Sequence, residues 1–182
     1  MKSPLPVPAG AERGRCGYLS ERMGRTTNTG IGAIDMLLQA LDCAFDKQSW
    51  HGPNLMSALR AVTPADASRV VAGRKTVWQQ LLHAAYWKHR VLYKLGGDEA
   101  TPFPRRAVNW PPPPEATARH WREDLEMLRD LHRRLRARVA ALPPGRLDRK
   151  TTWLLHGAAA HDVYHAGQIK LLRRLLAGNR GD

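Results

Sequence analysis

Apolar residues recur at intervals of three and four in four long stretches, the spacing of one buried helix face. The first stretch holds Ile31, Ile34, Leu38, Leu41 and Phe45 and predicts a helix from Gly30 to Asp46, with Asn28 or Thr29 as its cap. The second holds Val77, Leu81, Leu82, Ala84, Ala85, Val91, Leu92 and Leu95 and runs from Thr76 to a stop at Gly96-Gly97. The third carries Trp121, Leu125, Leu128, His132, Leu135, Val139 and Leu142, over a helix from Glu115 to Ala141. Its acidic residues come early and its arginines late, as the helix dipole prefers, and Pro143-Pro144-Gly145 ends it. The fourth steps through Leu154, Ala158, His161, His165, Gln168, Leu172 and Leu175, on a helix capped by Thr151 or Thr152 and ending near Gly178. No strand pair and no internal repeat is found.

The connections complete the picture. Trp50-His51-Gly52-Pro53 reads as a turn, and Asn54 caps a short helix through Val62 with Leu55, Met56 and Leu59 facing inward. Thr63-Pro64 closes it, and residues 66–74 form a connector. Residues 98–114 end in four consecutive prolines, Pro111 to Pro114, which favour a stiff extended crossover. A connection of that length lets the third helix run parallel to the second. The predicted fold is all-α, a four-helix bundle with a long crossover between helices 2 and 3. Residues 28–178 form it. Residues 1–27, with Pro4, Pro6 and Pro8 and no periodicity, read as a disordered tail, within which Met23 offers an alternative start, and 179–182 as a short C-terminal tail.

Composition narrows the class. A chain of 182 residues, 43 % apolar, is long enough for one domain with a real core. No apolar run reaches the about 18 residues that a membrane span needs, and the early positive charge is not followed by an apolar segment of a secretory signal. Cys16 and Cys43 form no metal or redox spacing, so a reducing cytoplasm is the expected compartment. The net charge of +13 is carried largely by arginine. It fits an acidic partner, but it equally fits arginine-rich usage spread over solvated faces. Without a zinc finger, a helix-turn-helix or an aromatic-interleaved basic strand, nucleic acid is not expected as a partner.

The candidate chemistry sits in the fourth stripe. Its apolar residues give way at mid-helix to His161, His165 and Gln168, and burying polar groups costs free energy unless they are paired. Two histidines at i and i+4 project from one helix face at a spacing that can hold a metal ion. Three imidazoles on a zinc-like ion leave a coordination position open, the mark of a catalytic site. The third must come from another helix. His132 fits best by position, in the seam of the third helix. His89 lies at the edge of the second helix's apolar face. His83 lies on a different side of that helix, with Gln79, Tyr86, Trp87 and Arg90. The pattern alone finds the pair and leaves its partner open.

Residues 161–169, H-D-V-Y-H-A-G-Q-I, on a last long helix resemble the closing motif of the DinB-like superfamily. Residues 81–88, L-L-H-A-A-Y-W-K, resemble its second-helix motif. The segments W-H-G-P at 50–53, F-P-R-R at 103–106 and W-R-E-D-L at 121–125 are also similar to members of that family, and the likeness spans residues 30–177. It implies a four-helix bundle with a long crossover after the second helix, and metal ligands at His83, His161 and His165. That set displaces His132, and it requires the His83 side of the second helix to face the interior or a cleft. Zinc or nickel is the implied metal. Thiol-dependent S-transfer or isomerisation, or metal-dependent hydrolysis, is the implied activity, with a low-molecular-weight thiol as a possible cofactor, a small-molecule substrate that could be thiol-linked, and a homodimer as the implied assembly. The chain departs from the pattern at Arg74-Lys75-Thr76, where relatives often carry a histidine followed by serine or threonine.

On the enzyme reading, Asp162 and Gln168 are candidates to orient an imidazole or a bound water, and Tyr164 and Trp87 to shape the pocket. Each also suits ordinary packing or solvation. His51 reads first as a turn residue. No residue is singled out as a general base. The alternative is a dimeric, non-catalytic metal-binding or stress-related bundle protein using the same ligands.

Overall fold

A computed structural model of the chain describes residues 32–96 and 101–178, all within the unit Ile31–Asp182. The tails expected over 1–27 and 179–182, the proposed caps Asn28 and Thr29, and Gly97 lie outside the described residues. Six α-helices are described: α1 Ala33–Phe45, α2 Leu55–Leu59, α3 Pro64–Ser68, α4 Val77–Lys94, α5 Ala118–Ala140 and α6 Arg149–Gly178. A 3₁₀ turn, Pro144–Arg146, leads into α6. No strand occurs among the described residues, so the fold is all-α. Helix α4 packs against both α5 and α6, and α1 also packs against both. The pairings Trp78–Asp124, Lys88–His132 and Leu95–Arg138 ascend together, so α4 and α5 run in the same direction.

Local signals explain most helix boundaries. The Thr76 and Gln79 side chains form a reciprocal capping box at the start of α4. Gly96, at φ 68°, takes the left-handed conformation that ends it. Asn54 caps α2 through the Ser57 amide and also donates to the Lys47 carbonyl at 2.8 Å, tying helix and preceding loop together. Thr63-Pro64 does more than close α2. Thr63 caps α3, with Pro64 preset for the first helical turn, so the connector expected over 66–74 begins as a short helix. The cap of α6 is Asp148, whose Oδ1 accepts from the Thr151 amide at 2.7 Å, and not Thr151 or Thr152.

The buried stripe of α6 differs from the expected one. It runs Leu155, Ala159, Asp162, His165, Ala166, Ile169, Leu172 and Leu176; His165 and Leu172 lie where expected, and the other expected positions are displaced by one residue. Leu154, Ala158, His161, Gln168 and Leu175 are half-buried at its edge. The histidine pair therefore borders the core, with His165 buried and His161 partly open. In α4 the expected apolar face is buried, and so are Trp78, Gln80, His83 and Lys88 on other sides, because neighbours flank the helix.

Two polar clusters anchor this core. Asp124 is fully buried in α5; it accepts from Trp78 Nε1 at 2.7 Å and pairs with Arg105 of the crossover at 2.7 Å. This joins the crossover to α4 and α5. Deeper in, the Lys88 ammonium meets Asp162 of α6 at 2.5 Å, with exposures of only 2 % and 1 %. Lys88 also lies 3.5 Å from His132 Nδ1 and 4.8 Å from the centre of the Phe45 ring. His132 stacks on Phe45, ring centres 3.8 Å apart, and faces Asp42 at 3.6 Å.

Removing one partner of a buried ion pair leaves an uncompensated charge, which costs about 3–5 kcal/mol, whereas replacing both with apolar groups is often neutral. Lys88→Met should therefore lower unfolding free energy by about that amount, and Lys88→Met/Asp162→Leu should recover most of it, read from denaturant midpoints. Burial, then the charges of Lys88, Arg136 and Lys47, push the His132 imidazole down to about 3. The unfolded chain, with an ordinary imidazole near 6.5, takes up that proton first. The stability contribution is thus complete above about pH 6.5 and is lost as pH falls toward 3. Between pH 7 and pH 5 the His132→Gln protein should lose about 2 kcal/mol less stability than the wild type, measured by denaturant unfolding in chelator.

Candidate metal centre

Helices α4 and α6 and the crossover bring together His83, His161 and His165. Their side chains can present one ligand nitrogen each, all within 4.8 Å of one another. His161 Nε2 lies 3.2 Å from His83 Nε2 and 3.0 Å from His165 Nε2. Nitrogens about 2.0–2.1 Å from a shared zinc-like ion stand roughly 2.9 Å apart at right angles and roughly 3.4 Å apart at the tetrahedral angle. The observed separations fall in that interval.

The other ring nitrogens explain the orientation. His83 Nδ1 donates to the Asn109 main-chain carbonyl at 2.5 Å, and His165 Nδ1 to the Gln80 side-chain oxygen at 2.5 Å. A proton fixed on Nδ1 leaves Nε2 with a bare lone pair. Both bare nitrogens face His161 Nε2, which can offer at most one proton. At least one pair of lone pairs is then left opposed unless a cation stands between them. Burial lowers all three imidazole pKa values from the ordinary value: His83 downward against the pull of its Asn109 bond, His161 to about 4 with help from His83 and Lys88, and His165 to about 3 with help from His161 and His83. Neutral imidazole is the form that ligates metal. The donor set therefore fits a divalent ion, and the group could hold one.

Aromatic rings wall the cluster. Trp110, from the crossover, stacks on His83 with centres 3.9 Å apart and planes 13° apart. Trp87 lies edge-on to His83 and to His161 at 6.4 and 6.3 Å, and its Nε1 donates to the Asn109 side-chain oxygen at 2.9 Å. Asn109 thus serves a histidine with its backbone and a tryptophan with its side chain. Tyr164 stands edge-on to His165 at 5.0 Å and is largely exposed.

Several expected residues stand elsewhere. His132, the best third ligand by helical position, is held between Phe45, Lys88 and Asp42. His89 Nε2 bonds the Thr101 carbonyl. Asp162 turns to Lys88 rather than to an imidazole; burial pushes its carboxyl upward while the ammonium pulls it down. Gln168 is half-buried, and the imidazole-orienting amide is Gln80 instead. His51 is exposed in the turn before α2. Gln80, Asn109 and Trp110 were not anticipated. The one available signal was the placement of Asn109-Trp110 directly before the proline run, where a stiff segment can aim a carbonyl.

The model of the DinB superfamily matches residues 49–169, which include all three histidines, Gln80 and Asn109. The chain belongs to the DinB superfamily. No curated protein and no solved structure gives a significant match. In this DinB protein the histidine of α4 and the two of α6 meet at a single cluster.

Partners that orient a ligating imidazole are typically worth 10–100-fold in metal affinity. Gln80→Leu should weaken binding of a divalent ion at the cluster by that factor, measured by competition with a chelating dye, while helix content by circular dichroism stays unchanged.

Proposed function

We propose that this DinB protein is a metal-dependent enzyme in which His83, His161 and His165 hold a zinc or nickel ion, acting as a thiol-dependent S-transferase or as a hydrolase-like enzyme. The observation that carries the reading is the convergence of the three Nε2 atoms, with the opposite nitrogens of His83 and His165 committed to Asn109 and Gln80. Bound there by three neutral ligands, the ion would keep its full charge and open positions, and would lower the pKa of a coordinated water or thiol toward neutrality. The chain's own residues do the positioning. Gln80 and Asn109 hold two imidazoles in one tautomer. Trp87, Trp110 and Tyr164 shield the cluster and offer flat apolar surface to a small-molecule substrate. A low-molecular-weight thiol is the co-substrate on the S-transferase version, the cytoplasm the expected compartment and a homodimer the expected assembly. Among the described residues no helix is long and apolar enough to cross a membrane.

A second reading has one observation in its favour. Asp162, the carboxylate next in sequence to His161, is turned into the core toward Lys88 and is not available as a base at the cluster. A metal-holding dimer without turnover would need no base.

The deciding measurement is elemental analysis of protein purified without a histidine tag. The expected result is about one zinc or nickel per chain, with loss of the metal in His161→Ala. Substoichiometric metal in the wild type after incubation with either ion would sink both readings. Stoichiometric metal with no thiol-transfer or hydrolytic turnover would favour the second.

A further inference from the structure

The histidine cluster has aromatic walls and, beyond one of them, a cation. The Lys75 ammonium lies over the Trp110 ring, 5.6 Å from its centre. Trp110 in turn stacks on His83, ring centres 3.9 Å apart, so one indole links the ammonium to an imidazole of the cluster. Lys75 is exposed, and among the described residues it has no ion-pair partner. Its starting point is rigid, because the next residue, Thr76, is the cap of α4 and is locked to Gln79 in both directions. Acids are missing from the same place. No carboxylate joins the three imidazoles. Asp162, beside His161 in sequence, is turned into the core and paired with Lys88. The open side is lined by Trp87 and Tyr164, 36 % and 60 % exposed, and neither carries a charge at neutral pH.

We infer that the substrate of this centre is an organic anion: one end reaches the cluster, and a carboxylate or comparable anionic group at the other end, past the edge of Trp110, is held by Lys75. The inference rests on the metal-dependent reading above; it names the charge of the substrate and the residue that selects it. Three features support it. First, three neutral imidazoles leave the charge of a divalent ion uncompensated, Lys75 adds to it, and no acid opposes it, so the site favours a ligand of opposite sign. Second, lysine is a compact point charge on a flexible four-carbon stem, able to follow an anionic group over a range of positions. The cation–π contact keeps it over Trp110 while no ligand is present. Third, the apolar middle of such a substrate has flat indole surface to lie on, at Trp110 and Trp87. An ion pair formed against that surface, rather than in open water, belongs at the upper end of the exposed range, about fivefold in affinity.

The test compares two thiols that differ only at the end far from sulfur, mercaptohexanoate and mercaptohexanol. Their binding to the full chain, loaded with whichever of zinc or nickel it retains, is read by titration calorimetry. The wild type should bind the acid about fivefold more tightly than the alcohol, and the preference should shrink as salt is raised. Lys75→Met should remove most of the preference and leave the affinity for the alcohol unchanged, and Lys75→Glu should turn it against the acid. Arg74→Met, which removes the same charge one residue away, should leave the preference intact and so separates a contact from the general field of a chain with net charge +13. Mercaptoacetate and mercaptoethanol, too short to pass Trp110, should be indifferent to Lys75→Met. A chain that retains neither ion ends both this inference and the metal reading. Metal-loaded protein that binds neither long thiol, or shows no preference for the acid, overturns the inference and leaves the metal site standing. Equal losses in Arg74→Met and Lys75→Met overturn it as well, and so does a Lys75→Met loss shared equally by acid and alcohol, which would make Lys75 a brace for Trp110.

Discussion

Helix α4 has almost no solvent side through its first half. From Val77 to Ala85 every residue but Gln79 is buried, because α5 and α6 take separate faces. A helix in that position cannot be simply amphipathic. Its apolar face fills the contact expected of a bundle, and its polar residues must find partners within the protein. Trp78 finds Asp124, Gln80 finds His165, His83 finds Asn109 and the other histidines, and Lys88 finds Asp162. The candidate metal centre is one of several answers to the same constraint.

These answers divide the interior into layers along α4. Trp78 and Asp124 occupy one level, the histidine cluster with Gln80 the next, and Lys88 with Asp162 and His132 a third. Each layer joins α4 to a different set of neighbours. The ionic layer adds little net stability when complete, but a shifted register of α6 against α4 would strand its charges. The histidine layer is different in kind, because its inner nitrogens face one another and could hold a metal ion.

The four long helices were legible because period and stop signals agree: Gly96 closes α4, and Pro143-Pro144-Gly145 follows the end of α5. The i, i+4 spacing of His161 and His165 was legible for the same reason. The buried stripe of α6 was misread by one position over most of its length because His161 and Gln168 were counted as core, whereas Leu155, Ala159, Asp162 and Ile169 carry it beside His165. The third histidine could not be found by position on the helix. His132 satisfies every rule for a seam residue, and it is a seam residue, stacked on Phe45. His83 looked peripheral because a wheel assumes one buried face, and α4 has more. Gln80 and Asn109 were invisible for a further reason: one is defined by a contact 85 residues away in sequence, the other by a carbonyl that any residue possesses.

The crossover shows where this economy leads. Loops that join helices are ordinarily where chains accept added or lost residues most readily. Here the segment is pinned at Thr101 by His89, at Arg105 by Asp124, and at Asn109 by His83 and Trp87. Its length between Arg105 and Asn109 sets the aim of an imidazole. A single inserted residue there would leave the helices intact and turn the His83 imidazole away from its neighbours, so drift in loop length, harmless in most folds, would be felt at the candidate centre first.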